Sequence, residues 1–153
     1  GGGVLLDGDG CALWMHGLHS ASKDRSANLD GIVDYKFYCF CGEPRFLYVS
    51  QGLENHSTAR ISFLSMDWKF EPFSRGDYAP FKCLPDKPGS FDDMVFFARE
   101  LSGGIPFVRV DFYDYGGVAL FSEMTFSPCS GLMPFDPPEY DLRVGKMLDL
   151  PRV

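Results

Sequence analysis

The sequence has no run of about 18 apolar residues, so nothing in it reads as a membrane-spanning helix. It has no cluster of Lys or Arg, and 14 basic residues face 21 acidic ones, a formal net charge of −7. An acidic chain without a basic stripe is a poor binder of nucleic acid or anionic membranes. The stretch Gly3 to Leu18 is broken by Asp7, Asp9 and His16, and so lacks the apolar core of a secretory leader. Cysteine is sparse and odd in number. Cys11, Cys39, Cys41, Cys83 and Cys129 make no disulfide framework and suit a reducing, cytoplasmic setting. Cys39 and Cys41 lack the second close pair of a zinc site, which leaves them as strand and turn residues. Asp7 and Asp9 lack the glutamate and further ligands of a calcium loop, so a hairpin turn is the better reading. No internal repeat is present.

What remains is one domain of ordinary size, 153 residues. Such a chain buries roughly 70% of its unfolded surface and needs no metal or disulfide to fold. Its hydrophobic content of 45% argues against disorder. The 15 Phe and 7 Tyr suit either a dense β core or a surface meant for a neighbouring domain.

Turn signals and alternation predict an α+β fold, an antiparallel sheet with few helices. Tyr35 to Phe40 and Arg45 to Ser50 read as a hairpin around Cys41-Gly42-Glu43-Pro44. Ala59 to Leu64 is a further strand. Asp67 to Pro88 is a proline-broken loop that must pack through its aromatics. Ser90 to Leu101 reads as a helix capped by Ser90, with Met94, Val95, Ala98 and Leu101 at helical spacing. Ile105 to Tyr113 and Val118 to Phe126 form a second hairpin around Asp114-Tyr115-Gly116-Gly117. A short helix is expected from about Pro138 to Leu148.

The second hairpin carries the chemistry. Arg109 and Asp111 share one strand face, and Glu123 and Thr125 share one on the next. A three-residue loop, Tyr115 to Gly117, sets Asp111 opposite Phe121 and Arg109 opposite Glu123, so all four polar residues meet. A four-residue loop separates them, because a one-residue slip turns a strand over. Met together, two acids and a hydroxyl are oxygen ligands for magnesium, and Arg109 is a planar fork for phosphate. That combination suits Mg-nucleotide phosphoryl transfer. The alternative is a solvent-facing pair of strands with ordinary cross-strand ion pairs.

The stretch Asp34-Tyr35-Lys36-Phe37-Tyr38-Cys39-Phe40-Cys41-Gly42-Glu43-Pro44 resembles the DYKFYCFNG-type segment of the TupA-like ATP-grasp family. Phe107 to Tyr113 resembles its FVRVDFY strand, and Phe121 to Pro128 its FGELTFTP strand. Gly52 to His56, Asp67-Trp68 and Lys87-Pro88 also fit. The likeness runs from about Asp30 to Pro151. It implies residues 1–29 as a divergent or truncated segment, and 30–153 as the C-terminal region of an ATP-grasp fold. It implies an ATP- and Mg²⁺-dependent carboxylate–amine ligase of cell-surface polysaccharide synthesis. Members often carry a glycosyltransferase label that these motifs do not support.

By that resemblance Asp111 and Glu123 are metal ligands, with Thr125 where many such enzymes have an Asn. Arg109 contacts the transferring phosphate and is the catalytic residue. Lys36 is either a phosphate or substrate contact or a plain strand lysine. Ser130-Gly131 either lines the acceptor site or is an ordinary turn. Cys41 and Ser122 replace the usual Asn and Gly. No Lys-bearing nucleotide-covering strand and no acidic hinge precede the DYK segment. The other half of the ATP site is therefore expected to be missing, and the chain alone to bind ATP poorly. A noncatalytic carbohydrate-binding or scaffold module, or an inactive fragment, are the alternatives.

Overall fold

The computed structural model describes residues 33–150 except 54 and 56, together with two short strands, β1 (Leu5–Leu6) and β2 (Leu13–Trp14), which pair antiparallel. The expected Asp7–Gly10 turn and the polar loop 20–31 lie outside the described residues. The main sheet is antiparallel, with strands β3 (Val33–Phe40), β4 (Glu43–Gln51), β5 (Arg60–Ser65), β6 (Phe107–Tyr115) and β7 (Val118–Thr125) in the order β5-β4-β3-β6-β7. Two helices, α1 (Phe91–Ser102) and α2 (Glu139–Gly145), complete an α+β fold. No helix among the described residues is long and apolar enough to cross a membrane.

The central strands are buried along nearly their whole length because both sheet faces are covered. On one face, Tyr35, Phe37 and Cys39 of β3 pack with Leu47, Val49, Val108, Val110 and Phe112 beneath Phe91, Met94 and Ala98 of α1. On the other, Tyr38, Phe40, Phe46, Tyr48, Ile61 and Phe63 lie under Phe73, Phe135 and Val144. These rings meet largely edge-on or tilted; Phe46 makes T-shaped contacts with Phe63, Phe73 and Phe135, the arrangement that ring quadrupoles favour. Much of the aromatic surplus is therefore core, and unavailable for stacking on sugars. Cys39 points under α1, where burial pushes its thiol up to about 12. Cys41 sits in the exposed two-residue turn to β4 at φ +53.

Ser90 departs from its expected role. It sits at the N-terminus of α1, but its side chain makes no capping hydrogen bond. Its hydroxyl donates instead to Asp114 Oδ2, while Asp114 Oδ1 accepts from the Gly117 N–H at 3.0 Å. The start of α1 is thus tied to the β6–β7 hairpin. Burial raises the Asp114 carboxyl, but the bonds from Ser90 and Gly117 outweigh it and hold the pKa below the usual value. A depressed folded-state pKa contributes stability above the unfolded value, about 3.9, and loses it as pH falls through the folded value. Thermal melts should therefore show a gap between wild type and Ser90→Ala that is flat above about pH 5 and narrows on acidification. A gap constant down to strongly acid pH would remove Asp114 from this account.

The second hairpin corrects both loop lengths considered from the sequence. The loop is two residues, Gly116-Gly117, with Tyr115 opposite Val118. Both glycines have positive φ, +61 and +84, as such a tight turn demands. Continued without interruption, this register would set Asp111 against Ser122 and turn Glu123 to the α1 face. It is interrupted instead: the pairing shifts between Asp111 and Phe112, and Ser122 becomes an extra residue. Beyond the bulge Asp111 faces Glu123, and Arg109 faces Thr125. The expected partners, Phe121 for Asp111 and Glu123 for Arg109, are thereby replaced.

Candidate functional site

The bulge gathers Arg109, Asp111, Glu123 and Thr125 on the face opposite α1. Pairing of β3 with β6 adds the residues of β3 that point the same way: Lys36 lies across from Asp111, and Tyr38 across from Arg109. Asp34 stands two positions before Lys36 and so shares its face.

The side chains form one connected ionic network. Arg109 grips Asp111 as a fork, Nε to Oδ1 at 2.8 Å and Nη2 to Oδ2 at 2.7 Å. Lys36 Nζ donates to the same Oδ2 at 2.6 Å and lies 3.5 Å from Asp34 Oδ1. Arg109 Nη2 also reaches Glu123 Oε1 at 2.7 Å and Thr125 Oγ1 at 3.1 Å. Thr125 Oγ1 donates to Glu123 Oε1 at 2.9 Å. The Tyr48 ring lies below the Arg109 guanidinium, 5.8 Å away. The solvent-facing alternative does not hold: Asp111 is 0% exposed and Arg109 7%.

Burial decides the electrostatics. Complete burial pushes the Asp111 carboxyl above its usual value, and the bonds from Arg109 and Lys36 oppose that shift without cancelling it. Burial also pulls the Arg109 pKa down, but the Asp111 carboxylate outweighs it and raises the group above its ordinary range. Arg109 cannot shed its proton, so a full positive charge stays beside Asp111. At Glu123 burial is partial, and Thr125, Arg109 and Lys36 hold the carboxyl below its usual value. Two cations, Lys36 and Arg109, meet three carboxylates, Asp34, Asp111 and Glu123. Counted as ionised, the cluster carries a net charge of −1; among the described residues no three His, Cys, Asp or Glu side chains are grouped so as to hold a metal ion by themselves.

A magnesium ion fits the donor chemistry, since Asp111, Glu123 and Thr125 offer only oxygen. Access is uneven. Both Asp111 oxygens already accept bonds from Arg109 or Lys36. The Glu123 side chain is 30% exposed, and only its Oε1 is engaged among the described residues. Glu123 and Thr125 therefore form the open rim, and Asp111 the closed floor that aligns the two basic groups.

Ser130 and Gly131 lie outside this network. They end a 3₁₀ turn, Pro128–Gly131, in which Cys129, Ser130 and Gly131 all have positive φ. Among the described residues neither bonds to the charged cluster. Gly131 lines a cavity of about 420 Å³ with Tyr38, Phe107 and Leu148.

Asp34 and Tyr48 join the site without having been singled out in the sequence. The i, i+2 spacing of Asp34 and Lys36 is a legible signal for one shared face. Their meeting with Asp111 depends on a strand pairing that joins distant segments.

A family model described as TupA-like ATPgrasp matches residues 18–149. No curated protein and no solved structure matches the chain.

Proposed function

Because this chain belongs to the TupA-like ATP-grasp family, we propose that its charged sheet face is the metal- and phosphate-binding part of an ATP-dependent carboxylate–amine ligase. The fold agrees with the C-terminal part of an ATP-grasp fold. The observation that carries the reading is the bulge at Ser122, which sets the Glu123–Thr125 rim beside Arg109 over a buried Asp111.

In the proposed reaction a substrate carboxylate oxygen attacks the γ-phosphorus of ATP. The bond to the β-phosphate oxygen breaks, ADP leaves, and an acylphosphate forms. An amine then attacks the acyl carbon; phosphate departs and the amine proton passes to solvent. Magnesium, when bound, supplies screening of phosphate charge. Glu123 and Thr125 would hold it at the rim. Arg109 stabilises the charge on the transferring phosphoryl group and on the later oxyanion. Asp111 holds Arg109 and Lys36 in place by ionic hydrogen bonds, so that neither must reorganise during transfer. Lys36 contributes the second positive charge.

The resemblance further supports a role in cell-surface polysaccharide synthesis. The free thiols of Cys39, Cys41, Cys83 and Cys129 support a cytoplasmic setting.

Titration of the chain with Mg-ATP, followed by backbone and side-chain resonances, tests the assignment. Because the chain alone is expected to bind ATP poorly, weak shifts that grow with Mg-ATP concentration are expected at Lys36, Arg109, Glu123 and Thr125, and they should be lost without magnesium. Shifts confined to other residues would sink the reading.

A further inference from the structure

Asp34 brings more negative charge into the network than neutrality requires. Lys36 and Arg109 are matched by Asp111 and Glu123, and Asp34 is a third carboxylate beside two cations. It is buried, with 9% of its surface exposed. Burying a carboxylate beyond what its counterions need is costly, so its place in the cluster calls for a reason.

The two oxygens of Asp34 have separate partners. Pairing of β3 with β4 sets Asp34 opposite Ser50, which is fully buried. Ser50 Oγ donates to Asp34 Oδ2 at 3.4 Å. Oδ1 faces Lys36 Nζ at 3.5 Å. That separation is long beside the 2.6 Å between Lys36 Nζ and Asp111 Oδ2, so Asp34 acts on the ammonium through its charge more than through a tight hydrogen bond. An ammonium is a point charge with three rotatable donors on a flexible stem. One carboxylate fixes one of its directions; a second confines it between two anions and leaves an N–H for a third acceptor.

We propose that Asp34, seated by Ser50, is a positioning residue whose carboxylate holds the Lys36 ammonium between itself and Asp111 and so presents the remaining N–H to the phosphate of an incoming nucleotide. The proposal rests on the ligase reading for the identity of that acceptor. It also fixes the sign of an effect. An acid beside a phosphate site repels phosphate, so removing an idle Asp34 would strengthen nucleotide binding. Removing a positioning Asp34 weakens it.

NMR of the Lys36 ammonium, without nucleotide, tests the geometry. Asp34→Asn should make Nζ more mobile than in wild type. The substitution is nearly isosteric and Ser50 can still donate to the amide oxygen, so the fold should hold. Ser50→Ala keeps the charge and removes its seat; it should act in the same direction, and it carries both readouts if Asp34→Asn unfolds. Mg-ATP titration tests the role. Asp34→Asn should weaken binding about three- to tenfold and Ser50→Ala about twofold, the size of coupling seen between contacting residues. In a Lys36→Met background Asp34→Asn should bind no weaker than Lys36→Met alone, because only the repulsion is left to remove. An ammonium equally ordered in wild type and Asp34→Asn, tighter Mg-ATP binding by Asp34→Asn with Lys36 present, or the same weakening in both backgrounds would overturn the positioning role. A wild-type chain with no Mg-ATP shifts at Glu123 and Thr125 rejects the ligase reading instead, and the ammonium measurement still decides whether Asp34 orders Lys36.

Discussion

Asp111→Ala should lower the unfolding free energy by about 3–5 kcal/mol, the range for removing one partner of a buried ion pair. The side chain is fully buried and accepts three charge-assisted hydrogen bonds, two from Arg109 and one from Lys36. Truncation leaves both cations facing a cavity in a low-dielectric interior. The loss comes from their stranding rather than from the intrinsic strength of the bonds. Replacing the inner part of the network should behave differently. Lys36→Met, Arg109→Met and Asp111→Leu together remove the three charges that meet at Asp111 along with their desolvation cost, and leave Asp34 bonded to Ser50 and Glu123 to Thr125. Chemical denaturation should find this triple variant close to wild type, since apolar replacement of buried ionic groups is often neutral or stabilising. It should show no nucleotide shifts at the site. An Asp111→Ala protein as stable as wild type would mean that the network is solvated, contrary to its burial. A triple variant as unstable as Asp111→Ala would mean that the charges specify the fold.

Glu123→Gln should separate chemistry from stability. The substitution is nearly isosteric, and the side chain is 30% exposed, so a surface-like ionic loss of under about 1 kcal/mol is expected. Thr125 can still donate to the amide oxygen. The variant loses the negative charge at the rim, where the cluster is open to a cation. Magnesium-dependent nucleotide binding should fall on the order of 10–100-fold, the range seen when even outer partners of a metal site are removed. Binding without magnesium should change little. Calorimetry with and without magnesium gives the comparison directly. Equal magnesium enhancement in wild type and variant would take Glu123 out of the metal site.

The contrast between the two substitutions follows from depth. Asp111 lies on β6, between β3 and β7, where Arg109 of its own strand and Lys36 of β3 occupy both its oxygens. Glu123 lies on β7, the edge strand of the main sheet, and its side chain is 30% exposed.

Much of the architecture was legible as pattern. Aromatic, β-prone runs between turn signals marked β3 and β4, alternation marked β6 and β7, and Gly116-Gly117 marked the second hairpin. Helical spacing of Met94 and Ala98 marked α1, which the structure closes at Ser102 before Gly103. The bulge was less legible, yet it left a trace. Phe121 and Met124 are both apolar and three apart, so strict alternation cannot bury both on one face. Since both pack on the α1 side, one residue between them had to be extruded, and Ser122 is that residue. Ser90 was misread because a serine before a helix usually bonds to the helix's own backbone; here a carboxylate from a distant hairpin competes successfully for the hydroxyl.

By itself the sequence determined the local elements, the α+β class and the pairing of Arg109 with Asp111 on one strand face. These depend on short-range backbone geometry, which a few neighbouring residues dictate. Only the tertiary structure decided that Lys36 and Asp34 join Asp111, that the cluster is buried rather than solvated, and that the buried Tyr38 hydroxyl has no partner among the described residues. Those outcomes depend on contacts between residues far apart in the chain, formed where covering both sheet faces removes the most apolar surface from water. The acidic surplus acquires structure in the same way. Its sign was plain from composition, but the buried acid and the rim acid were distinguished by one extra serine in a strand.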